Sequence, residues 1–304
     1  MKLTLKKQVT NLFQPLFQNQ SGKNLLKWFL LFATISLCCQ SESKTETKGS
    51  SPAVQQVPVK DSAHPLVTGY PDFIDSVSGN LIYWKDGTKM ELRTTSKKEV
   101  NLQKISDKEF EDLLANSDPY MMLSPEYPLL APIGVPGKNE DPGRFRNTEF
   151  LKKIYGANQR QVEKNLVTVK WLKKNVNKSF SVNKVNGAAA SLQKISDELD
   201  KLPKKFMKYL DNPAGTFLWR NIAGTDNLSA HSFAISIDIN VNQSHYWRGY
   251  KKEKDGLLKF RNNIPMEIVE IFEKHGWIWG GRWYHFDTMH FEYRPEIIAA
   301  VKLK

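Results

Sequence analysis

The sequence predicts an α+β fold, with an antiparallel central sheet and flanking helices. Three observations lead there. Segments with a two-residue apolar period, FAISIDIN (residues 233–240) and FDTMHFEY (286–293), are separated by a helical pattern, and strands and helices do not alternate regularly along the chain. LIYWKDGTKMEL (81–92) carries Asp86-Gly87 between two β-rich runs, the signature of a tight hairpin whose strands run antiparallel. Several helical segments also bring their own start and stop residues.

The elements follow in chain order. Residues 1–38 hold five lysines (Lys2, Lys6, Lys7, Lys23, Lys27) and no acid, and WFLLFATISLCC (28–39) follows Lys27. That apolar run is too short to span a bilayer but has the length of a signal-peptide core, so residues 1–39 read as an export segment. It ends on Cys38 and Cys39, either of which is a candidate lipidation site, with Ile35-Ser36-Leu37 as a poor lipobox. Residues 40–62 are polar and poor in large apolar side chains, a composition that reads as a flexible linker. The folded body is expected to begin near Pro65. Its first part, 63–180, contains the hairpin and a Pro-rich loop (118–143), and it could cap a cleft. RFRNTEFLKKIYG (144–156) predicts a short helix capped by Asn147 and stopped by Gly156.

The remaining segment, 181–304, is where the chemistry gathers. GAAASLQKISDELDKL (187–202) spaces Ala190, Leu192, Ile195, Leu199 and Leu202 helically before Pro203 halts it. FLWR (217–220) and FAISIDIN read as strands. PMEIVEIFEKHG (265–276) has Pro at its start and Gly at its end, as helices prefer, and WIWGGRWYHFDTMHFEY (277–293) places strand-like aromatics around a Gly-Gly turn.

Composition narrows the partners. The 304 residues carry a formal charge of +12, of which +7 remains once the five N-terminal lysines are set aside. A moderately basic body suits an anionic partner such as a cell wall or membrane surface. The chain has no stripe of Arg and Lys interleaved with stacking aromatics, so nucleic acid is not expected. Cys38 and Cys39 are the only cysteines, which excludes a disulfide framework in the body.

Strand alternation supplies the candidate site. In FAISIDIN, Asp238 shares a face with Ala234 and Ser236, opposite the isoleucines; if those point into the core, Asp238 points into a cleft. His231 lies at the entry to that strand. In FDTMHFEY, His290 and Glu292 share the face opposite Met289, Phe291 and Tyr293. Two adjacent strands could therefore bring His231, Asp238 and His290 together, and two imidazoles with one carboxylate make a plausible catalytic zinc site. Asp287, three residues before His290, could accept a proton from a water on the metal, and Arg220 could meet negative charge developing on a substrate carbonyl.

SAHSFAISID (229–238) resembles the S-x-H-x-x-G-x-A-x-D motif of the zinc peptidases that cut bacterial cell-wall peptides, the D-alanyl-D-alanine carboxypeptidases and the L-alanyl-D-glutamate endopeptidases. WGGRWYHFDTMHFE (279–292) is similar to their second motif, and GTFLWR (215–220) to the strand that carries their arginine. The resemblance covers roughly the last ninety residues and implies a hedgehog/D-Ala-D-Ala-peptidase-like fold. It implies zinc ligands at His231, Asp238 and His290, a general base at Asp287, and an oxyanion or substrate contact at Arg220. It also implies peptidoglycan peptides as partners and a bacterial periplasm or cell envelope as the location. Ala234 stands where the family has Gly, and Ser236 where it has Ala; a required positive φ would exclude alanine at 234.

Ser229, Glu292 and Trp283 are expected beside the ligands or against substrate. His285 reads as exposed or as cleft wall, His245 as packing, and Trp279 and Tyr284 as core or cleft lining. His64 and His275 carry no constellation. The same residues also suit a rival role, a zinc-containing wall-binding lipoprotein without turnover.

Overall fold

Among the described residues, Asp61 already pairs with the first sheet, its N–H donating to the Val77 carbonyl at 2.8 Å. The computed structural model describes residues 61, 63–94, 100–222 and 227–304. The export segment with Cys38 and Cys39, and nearly all of the linker, lie outside the described residues. No described helix is long and apolar enough to cross a membrane.

Helix α1 (Pro65–Gly69) leads into an antiparallel meander of β1 (Ile74–Ser78), β2 (Leu81–Trp84) and β3 (Lys89–Glu91). The β2–β3 connection is the Asp-Gly turn: Gly87 takes φ 84°, and the Asp86 carboxylate accepts the Thr88 N–H at 3.0 Å. Helix α2 (Asp107–Ala115) starts on a capping box, with Ser106 and Glu109 exchanging hydrogen bonds, and buries only Phe110. Helix α3 (Thr148–Tyr155) begins where Asn147 accepts the Phe150 N–H at 2.8 Å and ends at Gly156. After α4 (Gln159–Glu163) comes the hairpin of β4 (Leu166–Trp171) and β5 (Lys178–Asn183). Helix α5 (Ala188–Leu199) stops ahead of Pro203, and α6 (Met266–Lys274) follows Pro265.

The third sheet holds β6 (Ser236–Asp238), β7 (Trp277–Trp279) and β8 (His290–Tyr293) in the order β6-β8-β7, all antiparallel. Helix α7 (Pro295–Lys302) closes the chain. The mixed architecture fits α+β, but the β content is divided among three small sheets.

Two strand expectations are corrected. FLWR is not a strand, because its backbone is spent on the neighbouring turn. Arg220 N–H donates to the Ser232 hydroxyl at 2.9 Å, Leu218 N–H to His231 O at 3.2 Å, and Ser229 N–H to Arg220 O at 3.1 Å. FAISIDIN is not one straight strand either. Residues Ala230–Phe233 form a 3-10 turn that ends on Ala234 in the left-handed conformation (φ 53°, ψ 40°), so β6 begins only at Ser236. The kink divides the apolar residues between two cores. Phe233 and Ile235 pack with Leu66, Tyr70, Trp84 and Phe150, whereas Ile237 and Ile239 pack with Trp171, Leu192, Phe272 and Phe291. Ala234 and Ser236 are fully buried rather than facing a cleft.

Candidate metal centre and its cleft

Asp238 and His290 meet because they are direct cross-strand partners in the β6–β8 register. Side chains opposite each other on one sheet face are held about 5 Å apart at Cβ, within reach of a shared ion. His290 Nδ1 lies 3.0 Å from one Asp238 oxygen. His231, on the 3-10 turn before β6, places Nε2 3.3 Å from the other. The three ligand atoms lie within 4.8 Å of one another.

Each imidazole has a polar neighbour on its far side. His231 Nδ1 is 3.1 Å from the Thr216 carbonyl, which takes the ring N–H and leaves Nε2 as the free lone pair. His290 Nε2 lies 3.6 Å from Glu292 Oε2. Glu292 is fully buried, and Arg146 clamps it through Nε at 2.8 Å to both oxygens and through Nη2 at 2.5 Å. Arg294, also fully buried, approaches Glu292 at 3.4 Å and binds Glu296 at 2.6 Å.

The electrostatics favour a cation among these groups. Burial alone would push His290 down, yet the contact with Asp238, the nearby Glu292 carboxylate and the negative charges of Asp238 and Asp287 raise it to about 10. Asp238 is held well below the usual carboxylate range: burial opposes this, and the two histidines outweigh it. A site that binds a proton this firmly is one in which a divalent ion can replace that proton. The two imidazole nitrogens lie 3.0 and 3.3 Å from the two oxygens of one carboxylate, a cluster compact enough to share a single ion. The donor set fits a metal ion.

Asp287 lines the cleft beside the trio. Its Oδ1 is cut off from solvent and has no hydrogen-bond partner among the described residues. Burial pushes the carboxyl up to about 6, with the His290 charge opposing and the Asp238 charge adding to the rise. Its backbone is fixed by Gly280, whose carbonyl accepts the Asp287 N–H at 3.0 Å. A Cβ at Gly280 would come within 2.5 Å of the Asp287 carbonyl, and one at Gly281 within 2.1 Å of the Trp279 ring, so the Gly-Gly pair exists for close packing.

Arg220 lines the same cleft, is exposed, and has no carboxylate partner among the described residues. Ser229 caps the 3-10 turn through the His231 N–H at 3.3 Å. Trp283 sets its ring 5.8 Å from that of His290 and donates Nε1–H to the Pro142 carbonyl at 2.8 Å. Trp279 is core, and Tyr284 packs with Leu258 and Phe286.

Of the two readings of His285, exposed or cleft wall, the structure has the second: it is 3% exposed and lines the cleft, with Nδ1 2.8 Å from Asp141. His245 is tied to the Tyr250 hydroxyl at 2.5 Å, and His275 to Glu198.

Sequence reasoning missed Asp141, Arg144, Arg146 and the Thr216 carbonyl. The two arginines had one legible signal, a pair of cations either side of an aromatic in Arg144-Phe145-Arg146, and both line the cleft. Asp141 and Thr216 had none.

No curated protein and no solved structure matches the chain. Residues 223–293, the stretch that carries His231, Asp238, Asp287 and His290, match the family model described as D-alanyl-D-alanine carboxypeptidase.

Proposed function

We propose that this chain is an exported zinc-dependent hydrolase that cuts an amide bond in peptidoglycan stem peptides. The observation that carries the reading is the convergence of His231, Asp238 and His290 with a buried, unpartnered Asp287 oxygen in the same cleft. His231 Nε2, an Asp238 oxygen and His290 Nδ1 would hold the ion. When bound, zinc supplies Lewis acidity that polarises a carbonyl and brings a water's pKa near 7.

The chain's own groups do the rest. Asp287 takes a proton from the attacking water and returns it to the leaving amine, a task suited to a carboxyl raised by burial. Arg220, free of any carboxylate among the described residues, meets the charge that grows on the substrate carbonyl oxygen. Glu292, anchored by Arg146, holds the His290 ring at the angle the metal needs. The bond is of the D-Ala-D-Ala or the L-Ala-D-Glu type. In the same reading residues 63–180 help to cover the cleft. The basic and apolar segment 1–39 directs export to the cell envelope, and Cys38 or Cys39 offers a lipid anchor.

Asp287→Asn tests the chemistry directly. The variant is expected to retain near-stoichiometric zinc and to lose at least about 100-fold in turnover of defined muropeptides, the usual weight of a positioned base. Digestion at the parent rate removes Asp287 from that role. A zinc-loaded parent that pellets with sacculi yet leaves their fragment masses unchanged is a wall-binding protein instead.

A further inference from the structure

Asp141 is a charged side chain with no solvent exposure, and it belongs to neither the metal trio nor the base. Its Oδ1 accepts the His285 backbone N–H at 3.0 Å. Its Oδ2 accepts His285 Nδ1–H at 2.8 Å and Arg144 Nη1–H at 2.6 Å. With three donors spread over both oxygens, the carboxylate acts as a fixed post for its two partners. Packing completes the arrangement. Phe110 stacks on the His285 ring with centroids 5.2 Å apart, Trp247 meets it edge-on at 4.7 Å, and the Arg144 guanidinium lies 5.9 Å from both aromatic rings.

Both partners line the cleft that holds His231, Asp238, Asp287 and His290. With Nδ1 committed to Asp141, His285 can offer only Nε2 to that cleft. Arg144 has further N–H groups beyond the one on Asp141, and its positive charge is felt at Asp287. A planar guanidinium matches a planar carboxylate, and a desolvated cleft strengthens the match.

We propose that Arg144, oriented by buried Asp141 and walled by His285, forms a subsite for a carboxylate of the peptide substrate. The proposal rests on the hydrolase reading for its substrate, and it adds what the cleft selects. Asp141 is a positioning residue, acting through the two groups it holds. In a stem peptide the carboxylate has two sources: the C-terminus of the last D-alanine, or the free carboxylate of the internal D-glutamate.

The test uses the zinc-loaded full chain and the pentapeptide L-Ala-D-Glu-L-Lys-D-Ala-D-Ala in three forms: unmodified, amidated at the C-terminus, and amidated at the free glutamate carboxylate. One amidation is expected to raise KM at least about tenfold, the loss of a charge-assisted contact, and the form that does so identifies the source. Arg144→Gln should raise KM for the unmodified peptide to that of the sensitive amide while leaving the amide's KM alone. Arg144→Lys should recover part of the loss. Asp141→Asn should follow Arg144→Gln in direction, with zinc content and melting temperature checked on each protein. A merely structural role would weaken all three peptides equally, and that result overturns the proposal, as does a parent indifferent to both amidations. Calorimetric binding of the same peptides to Asp287→Asn separates the two readings. Binding that discriminates acid from amide, without turnover in the parent, retains the subsite and rejects hydrolysis; absence of any binding rejects the subsite.

Discussion

Replacing Glu292 by Gln should unsettle both the fold and the metal centre, and the two losses can be measured apart. Glu292 is fully buried and accepts three contacts from Arg146 at 2.5–2.8 Å, with Arg294 at 3.4 Å and His290 at 3.6 Å. Gln keeps the shape but removes the charge, leaving two guanidinium groups short of a counterion. Breaking one side of a buried pair costs about 3–5 kcal/mol. The lower end applies here, because Arg146 keeps 12% side-chain exposure and Arg294 keeps Glu296. About 3 kcal/mol lowers the melting temperature of a unit the size of Gln56–Lys304 by roughly 6–12 °C. Measured on chelator-treated protein, that shift reports the fold alone. Zinc titration of the folded variant should separately show affinity weakened by about 10–100-fold, since the carboxylate behind His290 is lost. A variant within about 0.5 kcal/mol of the parent, the range of an ordinary surface change, would refute the buried-network argument; unchanged zinc affinity would detach Glu292 from the metal.

Two further outcomes follow from other parts of the structure. Burial alone would raise Asp141, but the Arg144 charge and the His285 hydrogen bonds hold its carboxyl below the usual range. A carboxyl depressed in the folded state adds stability above its unfolded pKa and loses it as pH falls through the folded value. The parent should therefore lose stability below about pH 4 by a margin that Asp141→Asn lacks, as read from urea unfolding at stepped pH. At Ala234, held at φ 53° in a filled core, a β-branched side chain adds backbone strain and overpacking. Ala234→Val should cost about 3 kcal/mol, whereas Ala234→Gly, trading relieved strain against a lost methyl and a looser unfolded chain, should stay within about 1 kcal/mol by thermal melts.

The legible part of the site is local or carried by a strand period. Asp238 and His290 share a face because alternation is a property of the backbone, and that face could be read without knowing the register. The helices at 148–155, 188–199 and 266–274 were legible for the same reason, through caps, breakers and spacing. The kink at Ala234 was not. An alternating string such as FAISIDIN has the same pattern whether its apolar side chains enter one core or two, and alanine gives no sign of a left-handed turn. FLWR misled in a related way: its composition suits a strand, but its N–H and C=O groups found the 229–232 turn first.

What stayed hidden is the long-range charge pairing, and it bears on how the chain is divided. Glu292 is neutralised by Arg146. Arg294 binds the Gly143 and Phe145 carbonyls at 2.7 and 3.2 Å, and Glu296 accepts the Tyr70 hydroxyl at 2.7 Å. Every one of those partners precedes residue 181. The motif-bearing segment, expected over 181–304, thus carries buried charges whose partners lie before it, and a buried charge left unpaired is costly. The same long-range ties put Asp141, Arg144 and Arg146 into the cleft. The matched stretch 223–293 brings the ligands and the base, while the preceding segment brings the counter-charges that orient His290 and His285. Ligand identity in this chain is therefore written in the strand period, and ligand orientation in contacts spanning about half its length.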